Sequence, residues 1–71
     1  MKNKVKLLDV VALTDDLPEH ELKRGQVGTV VEILAPDAFE VEFVDKEGRI
    51  YAELAVKADH LLVLHYEPEF A

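Results

Sequence analysis

Carboxylates are the most frequent chemically active side chains in this sequence of 71 residues. Glu40 and Glu42 lie two positions apart in the stretch FEVEF, a spacing that puts both side chains on one face of a β-strand. Two carboxylates can act as acid and base when they share a dry pocket. On the polar face of an alternating strand they are more often solvated, so we predict no acid–base couple here.

Nucleophiles are scarce along the chain. There is no serine and no cysteine, and Thr14 and Thr29 are the only aliphatic hydroxyls. The side chains that most often form covalent intermediates are therefore missing. We predict that the protein is not an enzyme and has no catalytic residues.

Three histidines are the other candidates for chemistry. His20, His60 and His65 could join nearby carboxylates around a metal ion, but no two of them have the spacing of a zinc motif. We predict neither a metal site nor a cofactor.

Two glycines three positions apart, Gly25 and Gly28 in LKRGQVGTVVEIL, raise the possibility of a phosphate-binding loop. Such a loop needs a following helix, whose amino terminus faces the phosphate. Here a β-branched run follows instead. We therefore predict a tight turn at Gly25 and a sharp bend of the next strand at Gly28.

Aromatic residues could form a groove for a proline-rich peptide. Tyr51, Tyr66 and Phe70 are the candidates, but the chain has no tryptophan. Packing at the core or its rim is the favoured role for each ring.

The net charge limits the choice of partner. Fifteen acidic residues against eight basic ones give a formal charge of −7, which repels nucleic-acid phosphates. An acidic surface suits a basic protein partner, or it serves solubility alone. The absence of cysteine and of a long apolar stretch predicts a cytoplasmic protein with no membrane partner.

Hydrophobic residues alternate with polar ones along most of the chain, which predicts β-strands and no long helix. Ala35-Pro36-Asp37-Ala38 is a predicted tight turn, and Asp45 to Arg49 is a predicted short loop with a left-handed glycine, Gly48. A single helical turn is expected at residues 57–60. The predicted strands are 9–13, 27–34, 39–43, 50–56 and 61–65.

Five short strands with one long first connection match the plan of a five-stranded SH3-like barrel. We predict an all-β fold, with one short helical turn before the last strand, as a single domain over residues 1–71. Residues 1–6 and 67–71 are expected to be flexible tails. The long connection, residues 14–26, has the composition of a solvated surface loop. The predicted core is Val11, Leu13, Val31, Ile33, Phe39, Val41, Phe43, Leu54 and Leu62.

Several stretches resemble a family of small uncharacterised bacterial proteins, common in cyanobacteria and classed only as a domain of unknown function. The resemblance lies in DVVALT at 9–14, LP at 17–18, LKRGQVGTVVE at 22–32, FEVEF at 39–43 and LLVL at 61–64. It implies a small barrel and no established activity, so no functional residues can be transferred. More loosely, Gly25 to Glu32 is similar to the KOW-type segment of ribosomal and transcription-factor barrels, without their abundant basic residues.

Two functions from different classes remain open. The first is a protein-interaction module, for example an antitoxin-like or immunity-like partner of a basic protein encoded nearby. The alternative is a KOW-type barrel associated with nucleic acid. Self-association through strand edges is compatible with either. The candidate partner-binding residues are Asp15, Asp16, Glu19, Glu21, Glu40, Glu42, Tyr51 and Glu53.

Overall fold

A computed structural model describes residues 5–65 and shows one antiparallel sheet of five strands. The strands are β1 (Val10–Leu13), β2 (Val27–Ala35), β3 (Ala38–Val44), β4 (Ile50–Lys57) and β5 (Leu61–Val63). A 3₁₀ turn at Ala58–His60 directly precedes β5. The predicted all-β fold, its five strands and the helical turn before the last strand are confirmed.

The sheet is open, with the strand order β4-β3-β2-β1-β5. The last strand therefore returns to pair with the first, and β4 lies at the other end of the sheet. Closure of this sheet into an SH3-like barrel stays a prediction. Residues 1–4 and 67–71 of the predicted tails lie outside the described residues.

No helix within residues 5–65 has the length and apolarity needed to cross a membrane.

Short turns connect β2 to β3 and β3 to β4. Pro36 and Asp37 form the two-residue turn between β2 and β3, where Ala35 pairs with Ala38. In the next loop, the Asp45 side chain accepts hydrogen bonds from the backbone N–H groups of Glu47 and Arg49, both at 2.9 Å. Gly48 adopts the left-handed conformation there, with φ of 82°. Both predicted hairpins are confirmed.

The core lies on one face of the sheet, and five of its predicted members are confirmed: Val11, Leu13, Phe39, Val41 and Phe43. Leu54, which was also predicted, packs against this cluster and is partly buried. Three buried residues, Leu22, Val30 and Val56, were not in the predicted core. The side chains of Val41 and Phe43 are completely shielded from solvent, because their strand is covered along its centre by both neighbours.

The predicted burial of Val31 and Ile33 in β2 was wrong, although Ile33 pairs with buried Phe39 and so lies on the core side of the sheet. A register shift between Val30 and Glu32 inserts an extra residue, so Val30 lies opposite buried Val41 while Val31 is only partly buried. Ile33 pairs with Phe39 near the hairpin end and is 52% exposed. Strict alternation counted back from Glu32 fails because it crosses this bulge.

The prediction for Leu62 was also wrong. Leu61 and Val63 pair with the buried β1 residues Leu13 and Val11, so they take the core side of β5. Leu62 pairs with Ala12 on the outer face and is 47% exposed. The last strand follows the ordinary alternation and is not covered on both faces.

The long connection between β1 and β2 is more ordered than a solvated loop. It contains a 3₁₀ turn at Pro18–His20, closed by a β-bridge between Leu17 and Leu22. Leu22 is 3% exposed and belongs to the core. Gly25 then adopts φ of 91° and donates its N–H to the Leu13 carbonyl at 2.8 Å, which confirms the predicted turn into β2.

Gly28 lies in β2 between Val11 of β1 and Phe43 of β3. A Cβ atom at this position would lie 2.7 Å from Cγ1 of Val41 and 2.8 Å from the carbonyl oxygen of Glu42. The strand therefore needs glycine here because the neighbouring strand leaves no room for a side chain.

Candidate functional site

Four glutamates on the outer face of the sheet form the main candidate site, which we name the acidic face: Glu32, Glu40, Glu42 and Glu53. Glu32 pairs with Glu40 between β2 and β3, and Glu42 pairs with Glu53 between β3 and β4. Directly opposed residues in an antiparallel sheet have their Cβ atoms roughly 5 Å apart. The sheet thus holds two like-charged pairs side by side.

The alternation that builds the core also builds this face. In β3, Phe39, Val41 and Phe43 are buried, so the intervening Glu40 and Glu42 project to the opposite side. Both glutamates are only partly exposed because their strand lies inside the sheet, between β2 and β4.

Glu40 is the electrostatic centre of the acidic face. Partial burial raises the pKa of its carboxyl, and the hydrogen-bonding contact with Glu53 raises it further. The charges of Glu53 and Glu32 act in the same direction. Glu40 therefore holds its proton more tightly than an isolated glutamate does, because ionisation adds a charge to an already acidic surface.

The described part of the chain supplies no ion pair to this face. The ion pairs in residues 5–65 join Arg49 to Asp45, and His60 to Asp15 and Asp59. None of the four face glutamates takes part in them. The mutual repulsion of these carboxylates is therefore not compensated by an ion pair within residues 5–65.

Asp15, a predicted binding residue, is engaged within the chain. Its Oδ2 lies 2.9 Å from Nδ1 of His60 and accepts a hydrogen bond from the Thr14 hydroxyl at 3.1 Å. These contacts lower the pKa of Asp15, the hydrogen bond with His60 having the largest effect. Asp15 thereby connects the long loop to the 3₁₀ turn before β5.

Asp16 likewise stabilises the loop, since its Oδ1 accepts the backbone N–H of Arg24 at 2.9 Å. Glu19 lies in the 3₁₀ turn and is exposed, and Glu21 ends that turn in the left-handed conformation, with φ of 58°. Of the four predicted loop carboxylates, Glu19 and Glu21 thus project to solvent, while Asp15 and Asp16 hold the loop together.

Tyr51 does not lie beside Glu53 on the outer face of β4 as the alternation predicts. A register shift leaves Tyr51 unpaired, because Phe43 pairs with Ala52 and Val44 with Ile50. The Tyr51 ring lies 6.3 Å from the Phe43 ring at an angle of 43°, a tilted aromatic contact at the rim of the core. The other two members of the predicted aromatic groove, Tyr66 and Phe70, lie outside the described residues.

Surface depressions occur away from the acidic face. One of about 320 Å³ is lined by Asp16, Pro18, Glu21, Leu22 and Lys23 in the long loop. Another of about 230 Å³ lies beside Asp37, Lys57, Ala58 and Asp59. Within residues 5–65, no group of three or more metal-binding side chains is placed to hold an ion.

Glu32 is the face residue that the sequence prediction missed. A regular hairpin closed by Ala35 and Ala38 would place Glu32 opposite Val41, on the core side. A register shift between Ile33 and Ala35 instead aligns Glu32 with Glu40. Its polarity indicated an outward face, but its partner depends on a bulge that no local motif marks.

Comparison with known proteins identifies the family to which the chain belongs. The chain has no significant match among curated proteins or among solved structures. The model of one family matches residues 7–63, which include all five strands of the sheet. By this match, the chain belongs to the family described as the domain of unknown function DUF4926.

Proposed function

We propose that the protein is a non-enzymatic interaction module whose acidic face binds a basic protein. In its most specific form, the partner is encoded nearby and the chain acts toward it as a small antitoxin or immunity protein does toward its target. The proposed site of action is the cytoplasm, in keeping with a chain that has no cysteine.

The observation that carries this proposal is the alignment of four glutamates in two cross-strand pairs, none of which forms an ion pair within residues 5–65. Opposed like charges destabilise a sheet by roughly 0.2–1 kcal/mol per pair. Lysine or arginine side chains from a partner would attract these carboxylates and offset their mutual repulsion. A basic partner therefore gains affinity from repulsion that the free protein tolerates.

Composition supports a role without catalysis. The sequence contains no serine and no cysteine. The aligned glutamates lie on an open sheet face, where water remains in contact with them, and general acid–base chemistry is usually performed in a closed site. Binding is the chemistry that this surface suits best.

Affinity purification of the tagged protein from its native cell, followed by mass spectrometry and by RNA analysis, tests the proposal. We expect basic proteins to be captured and to be released as the salt concentration rises. Recovery of RNA without protein would favour the KOW-type alternative and contradict the proposal.

Two variants of equal net charge test whether the captured protein binds to the acidic face. The face variant carries Glu40→Gln, Glu42→Gln and Glu53→Gln, and the control carries Asp37→Asn, Glu47→Gln and Asp59→Asn, at exposed positions outside the candidate partner-binding residues. Each moves the formal charge from −7 to about −4. We expect that the face variant alone loses the partner. Equal loss from both variants would show that binding depends on net charge and not on the acidic face.

A further inference from the structure

The outer edge of β4 is a second feature of the surface, and it meets the acidic face at Glu53. In residues 5–65, β4 pairs with β3 on one side and with no strand on the other. It is eight residues long and contains no proline, so its outer side has hydrogen-bonding groups available over most of its length. Unpaired strand edges of this kind readily accept a further strand.

The hydrogen-bond pattern shows which residues face this edge. Ala38 pairs with Lys57, and the Ala58 N–H donates to the Asp37 carbonyl at 2.8 Å. In an antiparallel ladder this combination identifies Ala38 and Lys57 as a pair that exchanges no backbone hydrogen bonds. The backbone groups of Lys57, Ala55 and Glu53 therefore point away from β3, toward the free edge.

We propose that β4 pairs antiparallel with β4 of a second copy about a two-fold axis at Ala55, which places Lys57 of each copy opposite Glu53 of the other. The three outward-facing residues then form pairs across the interface, and each pair exchanges two backbone hydrogen bonds, about six in all. The result is one continuous sheet of two copies.

Charge complementarity favours a second copy of the chain as the partner of this edge, and it also determines the register of the pairing. Within the described residues, neither Lys57 nor Glu53 forms an ion pair. Only a two-fold axis at Ala55 brings these opposite charges together. An axis at Glu53 would oppose two glutamates, and an axis at Val56 would place Glu53 against Asp59.

The small size of Ala55 suits a two-fold axis, since two copies of this exposed side chain must lie next to each other on the outer face. On the core side, the same register sets partly buried Leu54 beside Val56 of the other copy. One edge strand gives a limited interface, so we expect a dimer that dissociates on dilution.

Sedimentation velocity from micromolar to millimolar concentration, at physiological ionic strength, tests this proposal on the untagged protein. The expected result is a mass that rises toward twice that of one chain. A wild-type protein that stays monomeric throughout this range would overturn the proposal. The readout needs no other partner, so it is independent of the proposed function.

A charge exchange tests the register. Glu53→Lys alone sets lysine against Lys57 of the other copy, and Lys57→Glu alone sets glutamate against Glu53. We expect each single variant to raise the dimer dissociation constant about tenfold, because two attractive pairs become repulsive. Circular dichroism and thermal melting verify that the variants, both at exposed positions, remain folded.

An equimolar mixture of the two single variants supplies the decisive result. All cross-strand charge pairs in the mixed dimer are attractive again, so the mixture is expected to dimerise about as strongly as wild type. Positions 53 and 57 lie roughly 13 Å apart along one strand and cannot contact each other within a copy. Failure of the mixture to recover dimerisation would overturn the proposed register.

Discussion

Gly28 shows how closely the central strands pack at the level of one residue. The nearest atom to an added Cβ after Val41 is the Glu42 carbonyl oxygen, a backbone atom that cannot rotate away. We predict that Gly28→Ala lowers the free energy of unfolding by about 1–3 kcal/mol through overpacking. Urea denaturation measures this change.

Gly48→Ala is the matched control for that substitution. An added Cβ at Gly48 would meet nothing within 4 Å, but the residue has φ of 82°. Its cost should be about 1–2 kcal/mol and should come only from the left-handed backbone. An unchanged midpoint for Gly28→Ala would show that the strands separate more easily than this packing implies.

Glu40 provides the test of electrostatics at a single residue. Its pKa is raised in the folded state, so the ionised carboxyl opposes folding at neutral pH, and the penalty disappears as the pH falls through the raised pKa toward the ordinary value of 4.5. We predict that Glu40→Gln is more stable than wild type at pH 7, by roughly 0.2–1 kcal/mol. The difference should shrink on acidification.

Denaturation midpoints of both proteins between about pH 3 and pH 7 give the comparison. Glu19→Gln, at an exposed position in the long loop, controls for the loss of one negative charge. A Glu40→Gln protein that is less stable than wild type at neutral pH would mean that Glu40 contributes a favourable interaction.

At the level of elements, position along a strand decides how deeply a side chain on the core side is buried. Phe43 is completely buried, whereas Ile33 is 52% exposed near the hairpin end. We predict that Phe43→Ala costs about 3–5 kcal/mol and that Ile33→Ala costs roughly 1 kcal/mol or less. Chemical denaturation of the two variants under the same conditions checks the assignment. Similar costs for the two variants would contradict this difference in burial.

The long loop depends on its contact with the 3₁₀ turn before β5. Asp15 contacts His60, and the Thr14 N–H donates to the His60 carbonyl at 2.9 Å. Because the pKa of Asp15 is lowered in the folded state, its contribution to stability is present above the ordinary value of 3.8. It is lost as the pH falls through the lowered pKa.

We therefore predict that Asp15→Asn reduces stability at neutral pH and that its difference from wild type narrows in strong acid. Hydrogen exchange of the loop amides between Thr14 and Gln26 should accelerate in the variant. Asp59→Asn serves as the control, since Asp59 lies 3.9 Å from the other ring nitrogen of His60 and is more exposed. Unchanged exchange in the Asp15 variant would show that the backbone contacts hold the loop without the side chain.

Local patterns were sufficient to predict the elements but not how they align. The alternation of FEVEF determined both faces of β3, and Gly25 and Gly48 marked turns that require a left-handed residue. The bulges in β2 were not predictable, because they arise where three strands must twist together and leave no residue signature. That is why Val31 was assigned to the core in place of Val30, and why the pairing of Glu32 with Glu40 was missed.

Long-range contacts explain the remaining differences. Leu22 lies in a stretch rich in charged residues, and its burial depends on the bridge to Leu17. Asp15 was grouped with the other loop carboxylates because its contact with His60 spans 45 positions. No periodicity within either segment records such a contact.

At the level of the whole molecule, charge is divided unequally between the two faces of one sheet. The core face is apolar, while the other face concentrates four glutamates on three adjacent strands. The central claim is that this concentration, more than the net charge of −7, attracts a basic protein. It predicts that position on the surface matters when total charge is held constant.

The most direct test is the association rate of the captured partner with wild type, the face variant and the matched control, measured over a range of ionic strength. The account predicts that the face variant associates more slowly and has a flatter dependence on salt, while the control stays close to wild type. Equal rates and equal salt slopes for the face and control variants would contradict it, since the acidic face would then be no more than part of a negatively charged surface.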